Sequence, residues 1–386
     1  MVTKKNFLLK IGILSVSLIL VSSLSISPAI PAIEGYFDHI SASSIELMTT
    51  VPSFSVMIMV LLSSFISNKI GEKVTVILGL SLVLVAGVLP FFLNDFSAVF
   101  LSRIILGVGL GLINSLAVSL ISINFKGKES AYLMGLRSAF ESGGQAILTF
   151  LAGQLILFNW QSVFLIYLLA LPILLLFMFS YPDNKKKDSD VEIDNRKQSV
   201  NFYVILIAVF LVVIVGAQTA IIIRISGIVT SFNFGNMVDA SRVQTLMTVA
   251  GMILGVFFGR IFISIRYFTA SLGLIMMTMA HFLVYSANSL MVITVGAVLA
   301  GAAYPLLISL MFHLVSEVCR SGSETLCMSV ALVGCNLGGS SAPYFLKLIA
   351  LITGSKAINQ PFLSFTFLFA VLTILSWFFC RKRSLK

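Results

Sequence analysis

Residues 181–200, YPDNKKKDSDVEIDNRKQSV, carry five acids (Asp183, Asp188, Asp190, Glu192, Asp194) and five bases (Lys185, Lys186, Lys187, Arg196, Lys197). A run of this composition can neither sit in a bilayer nor bury a core, so it reads as a solvated linker. About 180 residues lie on each side of it, and both sides are apolar. The expected organisation is an N-terminal body over 1–181, a linker over 182–200 and a C-terminal body over 201–386.

The 386 residues are 58% hydrophobic and 10% charged. Soluble chains run at about 25% charged, and part of any soluble surface must be wetted. The solvent of this chain is therefore mostly lipid. Apolar runs predict twelve spans, approximately 7–33, 45–67, 74–93, 97–123, 130–157, 162–181, 201–226, 243–263, 268–287, 289–315, 324–352 and 361–380. Each is long enough to cross about 30 Å of hydrocarbon as a helix, and open strands cannot satisfy their backbone there. Lys4, Lys5 and Lys10 precede the apolar run from Ile11, as in a signal peptide, but the run is long and further spans follow. A retained first helix is expected. The four cysteines (Cys319, Cys327, Cys335, Cys380) have no zinc-like spacing and read as small core residues. No metal or cofactor is expected.

The net charge of +10 is a matter of placement. With a cytoplasmic N-terminus, the inner segments hold 19 of the 25 Lys and Arg residues, including Lys69, Lys73, Lys126, Lys128, the linker bases and the C-terminal cluster. The outer loops hold only Arg242 and Lys356, with Arg224 near a helix end. This bias predicts a multi-pass protein of the cell membrane with both termini and the linker cytoplasmic. It also removes the case for a nucleic-acid partner.

The halves repeat. Span 5 lies on span 11 at an offset of 195, which places Gly143 on Gly338 and Gly144 on Gly339. Gly109 falls on Gly301 at 192, and Gly79 on Gly273 at 194. A six-plus-six parallel repeat puts the expected site near the midplane between the halves. Small-residue stripes mark close helix contacts: Gly251, Gly255 and Gly259; Gly135, Ala139 and Gly143; Gly334, Gly338 and Ala342. They suit static packing first, and sliding contacts between rocking halves as the alternative.

At three places the chain resembles the major facilitator superfamily. The loop Asn68-Lys69-Ile70-Gly71-Glu72-Lys73 is similar to that family's G-x-x-x-D-R-x-G-R-K motif, with Lys69, Gly71 and Lys73 matching in kind. Arg103, Gly107 and Gly111 resemble the fourth-helix R-x-x-x-G-x-x-x-G, and Trp160 to Phe164 the W-R-x-x-F opening of helix 6. Within the family the chain most resembles the twelve-helix bacterial efflux branches, although the Gly-Pro kink of the drug–proton antiporters is absent from span 5, which has Ser142-Gly143-Gly144. The resemblance implies an all-α membrane fold of two pseudo-symmetric six-helix bundles. It also implies that spans 1, 4, 7 and 10 line the path, and that Asn68, Lys69, Gly71, Lys73, Gly107 and Gly111 belong to conformational motifs.

Ionisable groups at membrane depth cost at least ~2.5–3.5 kcal/mol on insertion scales, so each is a functional suspect. They are Arg103, Arg137, Glu141, Arg224, His281, His313 and Lys347, and Glu141 is the only acid near the middle of a span. Arg137, Glu141 and Gln145 are four apart and form one stripe; Arg103 and Asn114 share a face of span 4. The repeat sets Asn336 and Ser340 opposite Glu141 and Gln145. Either Arg103 or Arg137 pairs permanently with Glu141, or Glu141 exchanges protons, helped by His313, while Arg103, Asn114, Arg137, Gln145, Arg224 and Asn336 meet substrate. Glu34, Asp38 and Glu46 read as a solvated outer rim, and Pro28 and Pro31 as kinks in the outer end of span 1.

No P-loop and no paired nucleophile and base are present, so the chain is not expected to be an enzyme. The expected function is proton-coupled export of a small amphipathic molecule by alternating access, by a monomer whose partners are substrate, proton and bilayer. Uptake or exchange of an organic anion is the alternative, motivated by Arg103, Arg137 and Arg224. A non-transporting receptor or enzyme is a third reading.

Overall fold

The computed structural model describes residues 2–182, 200–266, 268–319, 323–355 and 357–384. The predicted linker lies almost wholly outside the described residues. The described chain is helical throughout and divides into two compact units, Met1–Arg196 and Lys197–Lys386. Eleven helices among the described residues are long and apolar enough to cross a membrane. Phe65, Val256, Ile263 and Phe179 stand 70–87% exposed, which suits a lipid solvent and not water.

In the first unit, α1 (Val2–Val16) gives way to three short 3-10 turns, Ser17–Ile19, Ser22–Leu24 and Ser27–Ala29, before α2 (Ile30–Tyr36). Long helices follow: α3 (Ala42–Ile70), α4 (Glu72–Val88), α5 (Phe96–Asn124), α6 (Gly127–Leu155) and α7 (Ala170–Ser180), the last entered through a 3-10 stretch, Gln161–Leu169. The second unit contains α8 (Phe202–Ser231), α9 (Met237–Ile265), α10 (Phe268–Tyr285), α11 (Leu290–Val318), α12 (Glu324–Thr353) and α13 (Gln360–Ser384). Helix starts are set by side chains that accept orphan backbone N–H groups: Ser41 from Ser44, Asp95 from Ala98, and Asn236 with Asp239 as a reciprocal capping box.

Two expectations change here. The sequence predicts span 1 as one helix kinked at Pro28 and Pro31, but its α-helix stops at Val16, eleven residues before the first proline turn at Ser27. Span 5 is a 29-residue helix, α6, but it is not among the eleven apolar ones. Lys128, Glu129, Arg137, Glu141, Gln145 and Gln154 explain its lower hydropathy. The same helix packs on the broken first span, where Gly144 lies against the backbone of Leu18.

Glycine contacts give the register of the repeat. A Cβ on Gly79 of α4 would stand 2.5 Å from Ile113 of α5, and one on Gly273 of α10 would stand 2.8 Å from Leu307 of α11. Gly144 abuts Leu18 of the first span, and Gly338 of α12 abuts Val212 of α8. Every member of these pairs moves by 194 residues. The offsets of 195 and 192 read from the sequence are therefore wrong by one and two. Gly144 is the mate of Gly338, and the mates of Glu141 and Gln145 are Cys335 and Gly339, not Asn336 and Ser340. A short glycine-rich match can slide by a residue; backbone contacts cannot.

Candidate functional site

The polar centre of the first unit is built on α6. Arg137 and Glu141 are one helical turn apart, so their side chains meet. Arg137 Nη2 lies 3.3 Å from Glu141 Oε2, with the side chains 14% and 27% exposed. Glu141 stands at the midpoint of the helix. Gln145, the next residue of the stripe, is half-buried. Of the two partners the sequence allows, the structure pairs Glu141 with Arg137.

Arg103 goes elsewhere. It is fully buried in α5. Nη1 donates to the Tyr167 hydroxyl at 2.7 Å and Nη2 to the Ser23 carbonyl at 2.6 Å. Tyr167 donates in turn to the Ser22 carbonyl at 3.1 Å. The guanidinium also lies 5.5 Å from the Tyr167 ring and 6.0 Å from Phe164, a range in which a ring face attracts a cation. Among the described residues no carboxylate is within ion-pair range of Arg103. The broken first span thus supplies carbonyls, and α5 and the 3-10 stretch before α7 supply donors. Tyr167 is a functional neighbour that sequence reasoning missed; a lone tyrosine in an aliphatic run was the available signal. Asn114, three turns along α5, is half-buried.

The other candidates are dispersed. Arg224 is half-buried in α8, and Asn336 in α12 donates to its own Leu332 carbonyl at 3.0 Å. His313 Nε2 lies 3.3 Å from Glu317 Oε1 one turn on, with its ring against Phe262. His281 is fully buried, its Nδ1 2.8 Å from the Met277 carbonyl and its ring among Phe362, Phe365 and Phe369 of α13. Lys347 is exposed. Glu46, expected in a wet rim, is 2% exposed inside α3; the helix begins three residues earlier than expected and carries it inward.

The motif residues serve packing and turning within the first unit. Gly107 and Gly111 face α3, where an added Cβ would stand 2.5 Å from Pro52 O and from Met59 Cβ respectively. Between α3 and α4, Gly71 turns at φ 90°, ψ 152°, which a side chain strongly disfavours. The loop is tied by Tyr181, which donates to Glu72 Oε2 at 3.0 Å. Asn68 and Lys69 are exposed and Lys73 is half-buried. In the second unit Arg266 makes the matching turn between α9 and α10 at φ 45°, ψ −123°.

A family model described as the Major Facilitator Superfamily matches residues 12–343. No curated protein sequence matches this chain. Among solved structures, the chain is similar to a D-xylose–proton symporter, with a TM-score of 0.75 at 14% identity, over 96% of this chain and 97% of the other. It is also similar to the xylose transporter XylE of E. coli in an inward-open conformation, with a TM-score of 0.72 at 13% identity, over 97% and 96%. At such identities the likeness shows the fold alone.

Proposed function

This chain belongs to the Major Facilitator Superfamily and is a multi-pass membrane transporter, not an enzyme; from that premise we propose that it works as a proton-coupled secondary transporter, by alternating access. The observation that carries the reading is the Arg137–Glu141 pair at the midpoint of α6. An ionic pair on a membrane helix is costly and needs a use. A proton taken up by Glu141 removes its charge and releases Arg137, which couples protonation to the electrostatics of one helix. One of the solved structures that share this fold is itself a proton symporter, which supports a proton as the coupling ion.

The proposed cargo is a small amphipathic molecule and the proposed direction is export, on the motif resemblance to efflux branches. The anion reading is weakened by the arginines that motivated it. Two of the three, Arg103 and Arg137, are engaged inside the first unit. The Lys and Arg bias supports a cytoplasmic linker and cytoplasmic termini.

Reconstitution into liposomes with imposed pH gradients, against cationic, neutral and anionic compounds and xylose, tests the reading. The expected result is accumulation driven by an opposing proton gradient, lost in Glu141→Gln at equal protein incorporation. Gradient-driven flux that survives Glu141→Gln would remove Glu141 from the mechanism. Anion exchange insensitive to pH would overturn proton coupling, and co-directional movement of cargo and proton would overturn export.

A further inference from the structure

We propose that the 3-10 stretch Ser17–Ala29 of the first span is a conformational switch, and that Arg103 and Tyr167 are the latch that holds it in its broken form. The inference stands whatever the cargo is. In a continuous α-helix, the carbonyls of Ser22 and Ser23 would accept from the N–H groups of Ile26 and Ser27. Here Tyr167 and Arg103 occupy those two carbonyls. Tight 3-10 turns replace α-helical pairing: Leu20 N–H to Ser17, Ser25 to Ser22, and Ala29 to Ile26. No proline explains the break between Ser17 and Ser23, because the first one, Pro28, reaches back only to the Leu24 carbonyl. A mid-helix 3-10 stretch commonly marks a hinge.

The broken form also leaves polar groups unsatisfied. The hydroxyls of Ser17, Ser22 and Ser25 are buried without a hydrogen-bond partner among the described residues, as is Arg103 Nε. Each such group raises the energy of this form, so the form is held by the latch against its own strain. The second unit supplies the comparison. Shifted by 194, Ser22 and Ser23 fall on Gly216 and Ala217, which lie inside the unbroken 30-residue α8, and Arg103 falls on Ala297. Break and arginine occur together in one unit and are absent together from the other. Leu18, at the start of the break, packs on Gly144, three residues from Glu141, so a change in the first span is felt on the helix that carries the ion pair.

Hydrogen–deuterium exchange of the full chain in nanodiscs tests the latch. Tyr167→Phe removes one hydroxyl and no packing volume. One net hydrogen bond is worth about a five-fold change in an opening equilibrium. Amides of 17–29 should therefore exchange about five-fold faster, with α3 and α5 unchanged. Ser25→Ala removes an unsatisfied hydroxyl and should slow exchange in the same stretch. Arg103→Lys, which keeps the charge but not the two-pronged reach, should act like Tyr167→Phe. Unchanged exchange over 17–29 in a folded Tyr167→Phe protein would overturn the proposal. So would a rise spread evenly over the first unit, or faster exchange in Ser25→Ala. If Arg103→Lys fails to fold, the tyrosine and serine variants decide.

Discussion

Two neighbouring glycines of α6 should respond oppositely to the same substitution. Gly144 is in contact with the Leu18 backbone, while a Cβ on Gly143 would meet nothing within 4 Å. In Gly144→Ala the new methyl must displace a backbone carbonyl, which cannot rotate away as a side chain would. Overpacking of this kind costs ~1–3 kcal/mol. Its mate Gly338→Ala, with a Cβ 2.6 Å from Val212 O and 3.0 Å from Val212 Cα, should cost a similar amount. Gly143→Ala meets no obstacle and gains helix propensity, up to ~1 kcal/mol. For units of this size 1 kcal/mol moves a melting point by about 2–4 °C. Thermal unfolding of purified protein in one detergent should then place Gly144→Ala and Gly338→Ala several degrees below the native chain. Gly143→Ala should lie at or slightly above it. The sequence offset of 195 makes Gly143 the mate of Gly338 and predicts that those two behave alike. Equal losses for Gly143→Ala and Gly144→Ala would refute the register of 194 and the packing drawn from it.

Arg266→Gly should raise stability by about 1–2 kcal/mol, because glycine adopts a positive φ without the ~1–3 kcal/mol strain of other residues; unfolding in the same detergent checks it. Gly71→Ala should lose a comparable amount at its φ of 90°, seen as a lower melting point. Tyr181→Phe removes the hydroxyl that donates to Glu72 and should cost ~0.5–1.5 kcal/mol, with proteolysis of the Asn68–Lys73 loop speeding up accordingly.

The fold was legible because its cause is crude: roughly 20-residue apolar runs admit only helices in lipid, and a polar run such as 181–200 admits only solvent. The site was legible in part. Spacing alone placed Arg137 over Glu141, since residues four apart on a helix must meet. What failed was part of the setting of one helix against another: Gly251, Gly334 and Gly338 meet neighbouring backbones as expected, but Gly135 and Gly143 meet nothing within 4 Å. Arg103 was as near to Glu141 in the sequence argument as Arg137, yet it turns to Tyr167 and Ser23, sixty-four and eighty residues away. At Ser22 and Ser23 the informative groups are backbone carbonyls, which no side-chain pattern advertises. Glu46 was misplaced because wet rim and buried first turn differ by a three-residue shift in where α3 starts.

The duplication bears on the choice left open between a packing pair and a working one. At the offset of 194, Arg137 and Glu141 fall on Ala331 and Cys335. The surrounding contact is kept in both units: Gly144 on Leu18 in one, Gly338 on Val212 in the other. The second unit therefore seats the equivalent helix with no ionic group at either of these two positions. If the pair served only to hold α6 in place, its mate would need a substitute, and alanine with a half-buried thiol is none. Neutral residues would also spare the first unit the ~2.5–3.5 kcal/mol that an ionic group costs at a helix centre. Packing that one unit achieves without charge does not explain charge in the other, and a task performed by the first unit alone does. Arg103 follows the same logic with a different outcome, because its mate Ala297 sits beside an unbroken helix. There the arginine is explained by the break it spans, so Arg103 goes to the shape of the first span, and the proposed proton role stays with Glu141.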